Sequence, residues 1–264
     1  MAFEELKQRH AAMWGSAPFE RIADNLVDMH ETVIRSLDGQ PGEKWLDVGS
    51  GTGELAMLAV ETGAEVTGAD IAPVLVGTAR RQASERGADV RFEVADCEAL
   101  PFEDSSFDIL SSSVGAIFAP DHERVAAELG RVCRSGGRLA LTAWTADGPI
   151  GNFFKVIGSY SPPPVAGAGT SLQWSDREHC EQLLGDAFEL TFSEHNTPYR
   201  KDSAEAMWEE MSTAFGPIKT LLGALEPEGG RALRDELLTL FAESQTADGV
   251  TLDRPYLLVR GTRR

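Results

Sequence analysis

LDVGSGTGELAM, residues 46–57, decides the fold. An apolar run ends in three glycines spaced by two, Gly49, Gly51 and Gly53, and a helix-forming run starts directly after them. A strand that enters a helix through a glycine-rich turn opens a βαβ unit. In open α/β sheets that first turn lies beyond the carboxyl ends of the strands, where ligands bind. What the turn holds therefore decides what the chain does.

Outward from this turn, strand-like and helix-like segments alternate. The strand-like ones are 44–49, 65–70, 90–96, 107–113 and 137–144; the helix-like ones between them are 54–62, 73–87 and 122–133. Short apolar strands separated by helices imply an α/β fold, a Rossmann-like mostly parallel sheet with helices on both faces. Before the first strand, residues 19–37 place Ile22, Leu26, Met29, Val33 and Leu37 at spacings of three and four, which predicts an amphipathic helix ended by DGQPG at 38–42. After Trp144 the character changes. A short helical stretch and a Pro/Gly loop with Pro162–Pro164 fill 146–171, and 175–185 carries Ser175 and Glu178 at capping-box spacing. A strand over 188–200, helices over 203–215 and 231–244, and a closing strand over 250–261 complete the chain. The expected organisation is a single domain over 1–264. Within it, 1–41 forms an N-terminal helical lid and 42–147 a cofactor-binding core; 148–187 and 201–248 are helical insertions on the substrate side, and 188–200 and 250–261 are closing strands.

Composition narrows the function. A chain of 264 residues with 42% hydrophobic content can bury a core without staples. Cys97, Cys133 and Cys180 form no CxxC pair, and no apolar run approaches membrane-spanning length, so a cytoplasmic protein is expected. A net charge of −18 argues against nucleic acid and against polyanionic partners, and favours a small-molecule substrate. Composition leaves the oligomeric state open.

The turn lacks the Lys-Ser/Thr of a phosphate-binding P-loop, and it breaks the dinucleotide pattern because Glu54 stands where the third glycine belongs. A carboxylate in the first turn of a helix also repels a pyrophosphate. Asp70 ends the second strand 21 residues after Gly49, where an acid can bond both hydroxyls of a ribose. Asp96 and Cys97 end the third, where a carboxylate and a backbone N–H can address an adenine edge, and Asp47 on the first strand can orient the loop or a charged ligand end. The set describes a nucleoside without phosphate; a nicotinamide oxidoreductase stays open as the alternative.

WLDVGSGTG, VTGAD, VADCEALPFEDSSFDIL and ELGRVCRSGGRLALTAW, in that order over about 42–147, resemble the class I S-adenosylmethionine-dependent methyltransferases, particularly the branch similar to ubiquinone/menaquinone-biosynthesis and other small-molecule methyltransferases. The resemblance implies a seven-stranded sheet whose last strand is antiparallel, and S-adenosyl-L-methionine as cofactor. It implies that Gly49, Ser50, Gly51 and Gly53 surround the methionyl and ribose part. Asp70 would bind the ribose, Ile71 would lie on the adenine, and Asp96 and Cys97 would meet its edge. It also implies that Ser112 and Ser113 line the methyl-donor site, that Trp14 or Phe19 touches the cofactor from a lidding segment, and that Phe118 and His122 lie near substrate entry. After the fourth strand SSSVG stands in place of Asn-Pro-Pro-Tyr, which argues against DNA and glutamine methylation.

A sulfonium methyl is already activated, so its transfer needs alignment, exclusion of water and, for hydroxyl or carbon nucleophiles, a proton acceptor. Histidine is the economical choice. His122 and His195 are the candidate catalytic residues; His10, His30 and His179 are read first as surface or boundary groups, although His30 on a lidding helix could approach the site, and no spacing such as HExxH predicts a metal. Trp144, Phe153, Phe154, Tyr160, Trp174, Trp208 and Phe215 are candidates for a hydrophobic chamber around an aromatic or prenylated acceptor, and the small organic acceptor expected is aromatic, quinol-like or a secondary metabolite. A protein that binds the cofactor without transferring its methyl group is the third reading.

Overall fold

A computed structural model describes residues 3–264. Its first five strands, β1 (Lys44–Val48), β2 (Glu65–Asp70), β3 (Val90–Val94), β4 (Phe107–Ser113) and β5 (Cys133–Trp144), are mutually parallel. Trp45 to Val48 are all buried, as expected of a central strand covered on both faces. After β6 (Phe188–Asn196) the chain leaves this sheet. β7 (Tyr199–Lys201), β8 (Gln245–Thr246) and β9 (Gly249–Leu252) form a separate antiparallel sheet in the order β7-β9-β8. The chain returns as β10 (Pro255–Arg263), antiparallel to both β5 and β6, and completes a seven-stranded sheet in the order β3-β2-β1-β4-β5-β10-β6.

The strand order reverses between β1 and β4, and this is where an open sheet leaves a crevice at its carboxyl edge. Helices α1 (Glu4–Trp14), α2 (Glu20–Ala23) and α3 (Val27–Leu37) precede β1. α4 (Glu54–Ala59), α5 (Pro73–Arg86) and α6 (His122–Val132) make the crossovers. Local chemistry sets their limits: α5 opens with Pro73 and stops at the left-handed Gly87, and the Asp121 carboxylate caps α6 by accepting from Arg124 N at 3.0 Å. α7 (Gly148–Tyr160) and α8 (Arg177–Leu184) lie between β5 and β6, and α9 (Ala204–Ala214), α10 (Gly216–Ala224) and α11 (Pro227–Ala242) between β7 and β8.

Several expected elements differ. The helix over 19–37 is α2 and α3 joined by a 3-10 turn at Asp24–Leu26, and α1 and α10 carry no strong sequence signal. The strands over 188–200 and 250–261 each divide between the two sheets. Both breaks fall at a proline, Pro198 and Pro255, which lacks the N–H a continuing ladder requires. α8 is capped by Asp176, whose carboxylate accepts from Glu178 N, and the capping box falls on Thr170 and Gln173 instead of Ser175 and Glu178. Pro162–Pro164 lie in exposed coil.

Candidate active site

The glycine turn is tied to the end of β2. Gly49 N and Ser50 N both donate to Ala69 O, at 2.8 and 3.0 Å, and Gly51 N donates to Asp70 Oδ2 at 2.9 Å. The other carboxylate oxygen of Asp70 accepts from Ala72 N at 2.8 Å. Gly49 has φ +68°, and a Cβ there would stand 2.7 Å from Gly115 Cα, so the turn is pressed against the loop leaving β4. Only glycine permits both the dihedral and the approach.

Between this turn, the ends of β1 to β4 and the helices α1 to α3 lies a cleft that opens to solvent. Asp47, Glu54, Asp70 and Asp96 line it. Ser111 Oγ, itself receiving Trp45 Nε1–H at 2.8 Å, donates to Asp47 Oδ1 at 2.8 Å. Burial nevertheless dominates at Asp47 and pushes its pKa up to about 7, against the Ser111 bond; the nearby charges of Asp70 and Glu54 push the same way. Burial likewise raises Glu54 and Asp70, opposed at Glu54 by Thr52 and Gln82 and at Asp70 by the N–H groups of Ala72 and Gly51. Lys7 is the single ammonium among the described lining residues, and it is engaged with Asp96 at 2.5 Å and Glu98 at 2.9 Å. Two buried polar atoms on the wall have no hydrogen-bond partner, Ser50 Oγ and His30 Nδ1. The chemistry on offer is an acidic hollow suited to a ligand with positive charge and donor hydroxyls.

Known proteins match this architecture. The family described as "Methyltransferase domain" matches residues 46–141. An uncharacterized protein of Mycobacterium tuberculosis is 30% identical over 99% of this chain and 96% of its own length. A demethylmenaquinone methyltransferase of Thermus thermophilus is 34% identical over 196 residues, 74% of this chain and 76% of that one. The chain belongs to the class I S-adenosylmethionine-dependent methyltransferases. The solved YcgJ protein of Bacillus subtilis shares the fold with a TM-score of 0.61 at 22% identity, over 89% of this chain and 97% of that one.

In this methyltransferase, Trp14, Asp47, Gly49, Ser50 and Gly51 line the cleft, as do Asp70, Ile71, Asp96, Cys97 and Ser113. Gly53 does not: it stands behind the turn, where a Cβ would meet the Phe92 ring at 2.6 Å. Ser112 does not line the cleft either. Side chains alternate along β4, so Ser111 and Ser113 share one face, while Ser112 Oγ on the other accepts from Ala116 N at 2.9 Å. Burial, with the nearby Asp96 and Glu98 charges, pushes the Cys97 thiol above its ordinary range.

The two candidate catalytic histidines are not brought to the cleft. His122 Nδ1 lies 2.9 Å from His179 Nε2, and its ring packs 5.0 Å from Trp174 under Gly169. Packing against α8 turns it away from the cofactor side of α6; burial and His179 lower its pKa to about 4. His195 lies on the edge strand β6, bonds Ser193 Oγ at 2.9 Å and stacks on Tyr256 at 5.4 Å. His10, read from the sequence as a surface or boundary group, lines the cleft, and so does His30, for which an approach from the lidding helix is the second reading; Lys7 and Glu54 line it as well. Ala23, Leu26 and His30 recur at spacings of three and four on the flank of the predicted apolar stripe, a signal legible once the stripe is known to face the sheet.

The expected aromatic chamber is replaced by packing. Trp174 is enclosed against His122 and His179, Trp144 against Tyr256 and Arg254, and Phe153 against Phe154, Phe215 and Phe241. Tyr160 bonds Glu236 at 2.6 Å, and Trp208 packs on the core. The aromatic wall of the cleft is Trp14, Phe19 and Phe118; Phe215 and Phe154 back it at 5.6 Å from Trp14 and 6.3 Å from Phe118. Among the described residues no group is arranged to hold a metal ion, and no helix is long and apolar enough to cross a membrane.

Proposed function

We propose that the chain transfers the methyl group of S-adenosylmethionine to a small, uncharged, largely apolar acceptor of phenol or quinol type. The charge of the cleft carries this reading. Four carboxylates line it, and its one described ammonium is committed to Asp96 and Glu98. A sulfonium and an α-ammonium are attracted to such a hollow, whereas the phosphates of a dinucleotide or a phosphorylated acceptor are repelled. The nicotinamide reading is disfavoured on the same ground.

The residues fit that cofactor. Each oxygen of Asp70 spends one lone pair on the backbone and keeps another for a ribose hydroxyl. Ser50 Oγ lacks a partner that a ligand can supply. We assign Gly49, Gly51 and Gly53 to shaping the turn, Asp47 to the ammonium, and Ile71, Asp96 and Cys97 to the adenine, with Trp14 and Ser113 toward the donor end. Bound there, the cofactor supplies an electrophilic methyl group; the chain aligns the acceptor and excludes water. Phe19, Leu26 and Phe118 offer an apolar surface to the acceptor. The name of the Thermus thermophilus relative supports a quinol-like molecule. In this reading residues 3–41 close over a core of 42–147, while 148–187 and 201–248 brace the closing segment. The protein acts in the cytoplasm, in keeping with three free cysteines, and takes no nucleic acid.

Titration calorimetry with S-adenosylmethionine, S-adenosylhomocysteine and NADH, followed by transfer of a radiolabelled methyl group to a panel of phenols, quinols, amines and phosphorylated alcohols, tests the reading. Binding of the first two and labelling of a phenol or quinol is the expected result. Binding of NADH alone, or labelling confined to phosphorylated acceptors, overturns it.

A further inference from the structure

We infer that His30 is the proton acceptor of the methyl transfer, taking the hydroxyl proton of a phenol or quinol held in the cleft; this rests on the function proposed above. The placement is structural. Met29, its neighbour on α3, has its sulfur contacted by Ser113 Oγ at 3.2 Å and Thr142 Oγ1 at 3.3 Å, so this turn of the helix sits over the carboxyl ends of β4 and β5. His30 follows Ala23 and Leu26 onto the cleft wall and is 4% exposed.

The carboxylates of the cleft are committed, and Ser50 Oγ, the other buried polar atom on the wall without a partner, is a hydroxyl and not a base. Asp47 holds Ser111, Glu54 holds Thr52 and Gln82, Asp70 holds the N–H groups of Gly51 and Ala72, and Asp96 holds Lys7 and Glu98 N. Among the described basic side chains of the cleft, His30 has the one buried nitrogen without a hydrogen-bond partner, Nδ1. An unbonded imidazole is a cost that a leucine at this position would avoid, and with Nδ1 enclosed it is Nε2 that a hydroxyl bound in the cleft can meet. Burial pulls the His30 pKa down to about 4, so the imidazole is neutral at physiological pH and keeps a free lone pair. The imidazolium formed on transfer faces a hollow lined by Asp47 from β1, Glu54 from α4, Asp70 from β2 and Asp96 after β3, with Lys7 and His10 from α1 and Cys97 after β3 as the other titratable groups.

The step balances. The acceptor O–H bond breaks, the proton goes to an imidazole nitrogen, and the electron pair stays on oxygen. That pair, directly or through the conjugated ring carbon, forms the bond to the methyl carbon, and the pair of the broken methyl–sulfur bond goes to sulfur. Where the ring carbon is methylated, its own hydrogen leaves as a proton and the hydroxyl is restored. In either case one proton is released to solvent after the cleft opens.

The test compares the parent protein with His30→Gln and His30→Ala, using a prenylated 1,4-naphthoquinol kept reduced and a simple phenol as probes. With thermal melts confirming the fold, S-adenosylhomocysteine affinity measured by calorimetry should stay within about twofold of the parent. The turnover number should fall about 10²–10⁴-fold. Added imidazole should restore part of the His30→Ala rate, and the variants should gain a rise of rate with pH that the parent lacks. Independently of turnover, nitrogen NMR of labelled histidine should show a neutral His30 ring from pH 5.5 to 8 whose signals move on adding the quinol to protein loaded with S-adenosylhomocysteine. Parent-like turnover in His30→Gln, a loss of rate matched by loss of S-adenosylhomocysteine affinity, or a parent that labels only amines overturns the inference. A parent that fails to bind S-adenosylhomocysteine fails at the earlier reading, and takes this one with it.

Discussion

Lys7 Nζ stands 2.5 Å from Asp96 Oδ2 and 2.9 Å from Glu98 Oε2, so one buried ammonium joins α1 to the acids that follow β3. Burial lowers the Lys7 pKa, but the bonds and charges of Asp96 and Glu98 outweigh it and hold the ammonium above its ordinary range. The group therefore stays charged across the physiological range. Lys7→Met leaves Glu98, 4% exposed, without its cation, and should cost about 3–5 kcal/mol by urea unfolding. Adding Glu98→Gln should recover much of that, because the amide oxygen still accepts from Asp121 N. An undiminished stability in Lys7→Met would show that the pair is not formed.

Asp70 braces the glycine turn through Gly51 N and faces the cleft. Asp70→Ala should weaken S-adenosylhomocysteine binding by ~1.5–3 kcal/mol, roughly 10- to 150-fold in Kd, if it bonds the ribose hydroxyls directly. Calorimetry that finds parent affinity removes Asp70 from the ribose.

Gly49 and Gly51 both have positive φ, yet alanine should affect them differently. At Gly49 a Cβ meets Gly115 Cα at 2.7 Å, a backbone atom that cannot rotate away; at Gly51 the nearest atom is on the Phe19 ring at 3.7 Å. Gly51→Ala should cost roughly 1–2 kcal/mol for the dihedral alone, and Gly49→Ala clearly more. Equal melting temperatures would contradict the close approach.

Asp47 supplies a pH signature. Its folded pKa of about 7 exceeds the ordinary carboxylate value, so between about pH 4 and 7 the folded state holds a proton that the unfolded chain has lost. Stability contributed by this group is therefore present at low pH and lost as pH rises to about 7. Asp47→Asn removes the penalty and should stabilise the protein at pH 8 by at most about 4 kcal/mol, with the gain vanishing near pH 4. Paired unfolding curves at the two pH values check the sign.

What the sequence disclosed and what it hid have separate physical causes. β1 to β5 were legible because parallel strands buried on both faces read as continuous apolar runs, and the spacing from Gly49 to Asp70 survives because both ends of it touch through Gly51 N. The division of 188–200 was hidden because alternation continues through Asn196 into Tyr199, although the two strands join different sheets. Ser112 and Ser113 could not be told apart, since a period of two says that one faces the cleft but only the register with β5 says which. His122 was ranked above His30 for a related reason. The orientation of His122 depends on His179, 57 residues away, which leaves no local trace. His30 lies beside the apolar stripe, and which flank faces the cleft depends on how α3 docks on the sheet.

Arg254 fastens that docking. Its guanidinium is 3% exposed, lies over Trp144 and Tyr199 at 5.6 and 5.1 Å, and donates to Thr197 O at 2.9 Å and Asn25 O at 2.5 Å. It thus spans the junction of the two sheets and the 3-10 turn ahead of α3. Burial lowers its pKa to about 10, which leaves it charged at neutral pH. A lysine has the charge but not the planar fork, and cannot cover both carbonyls in this geometry. Arg254→Lys should therefore cost about 2–4 kcal/mol and speed hydrogen exchange most strongly in residues 20–30, the segment that carries Ala23, Leu26 and His30 to the cleft. If exchange there stays at the parent rate while global stability falls, Arg254 holds the two sheets together without setting the position of α3.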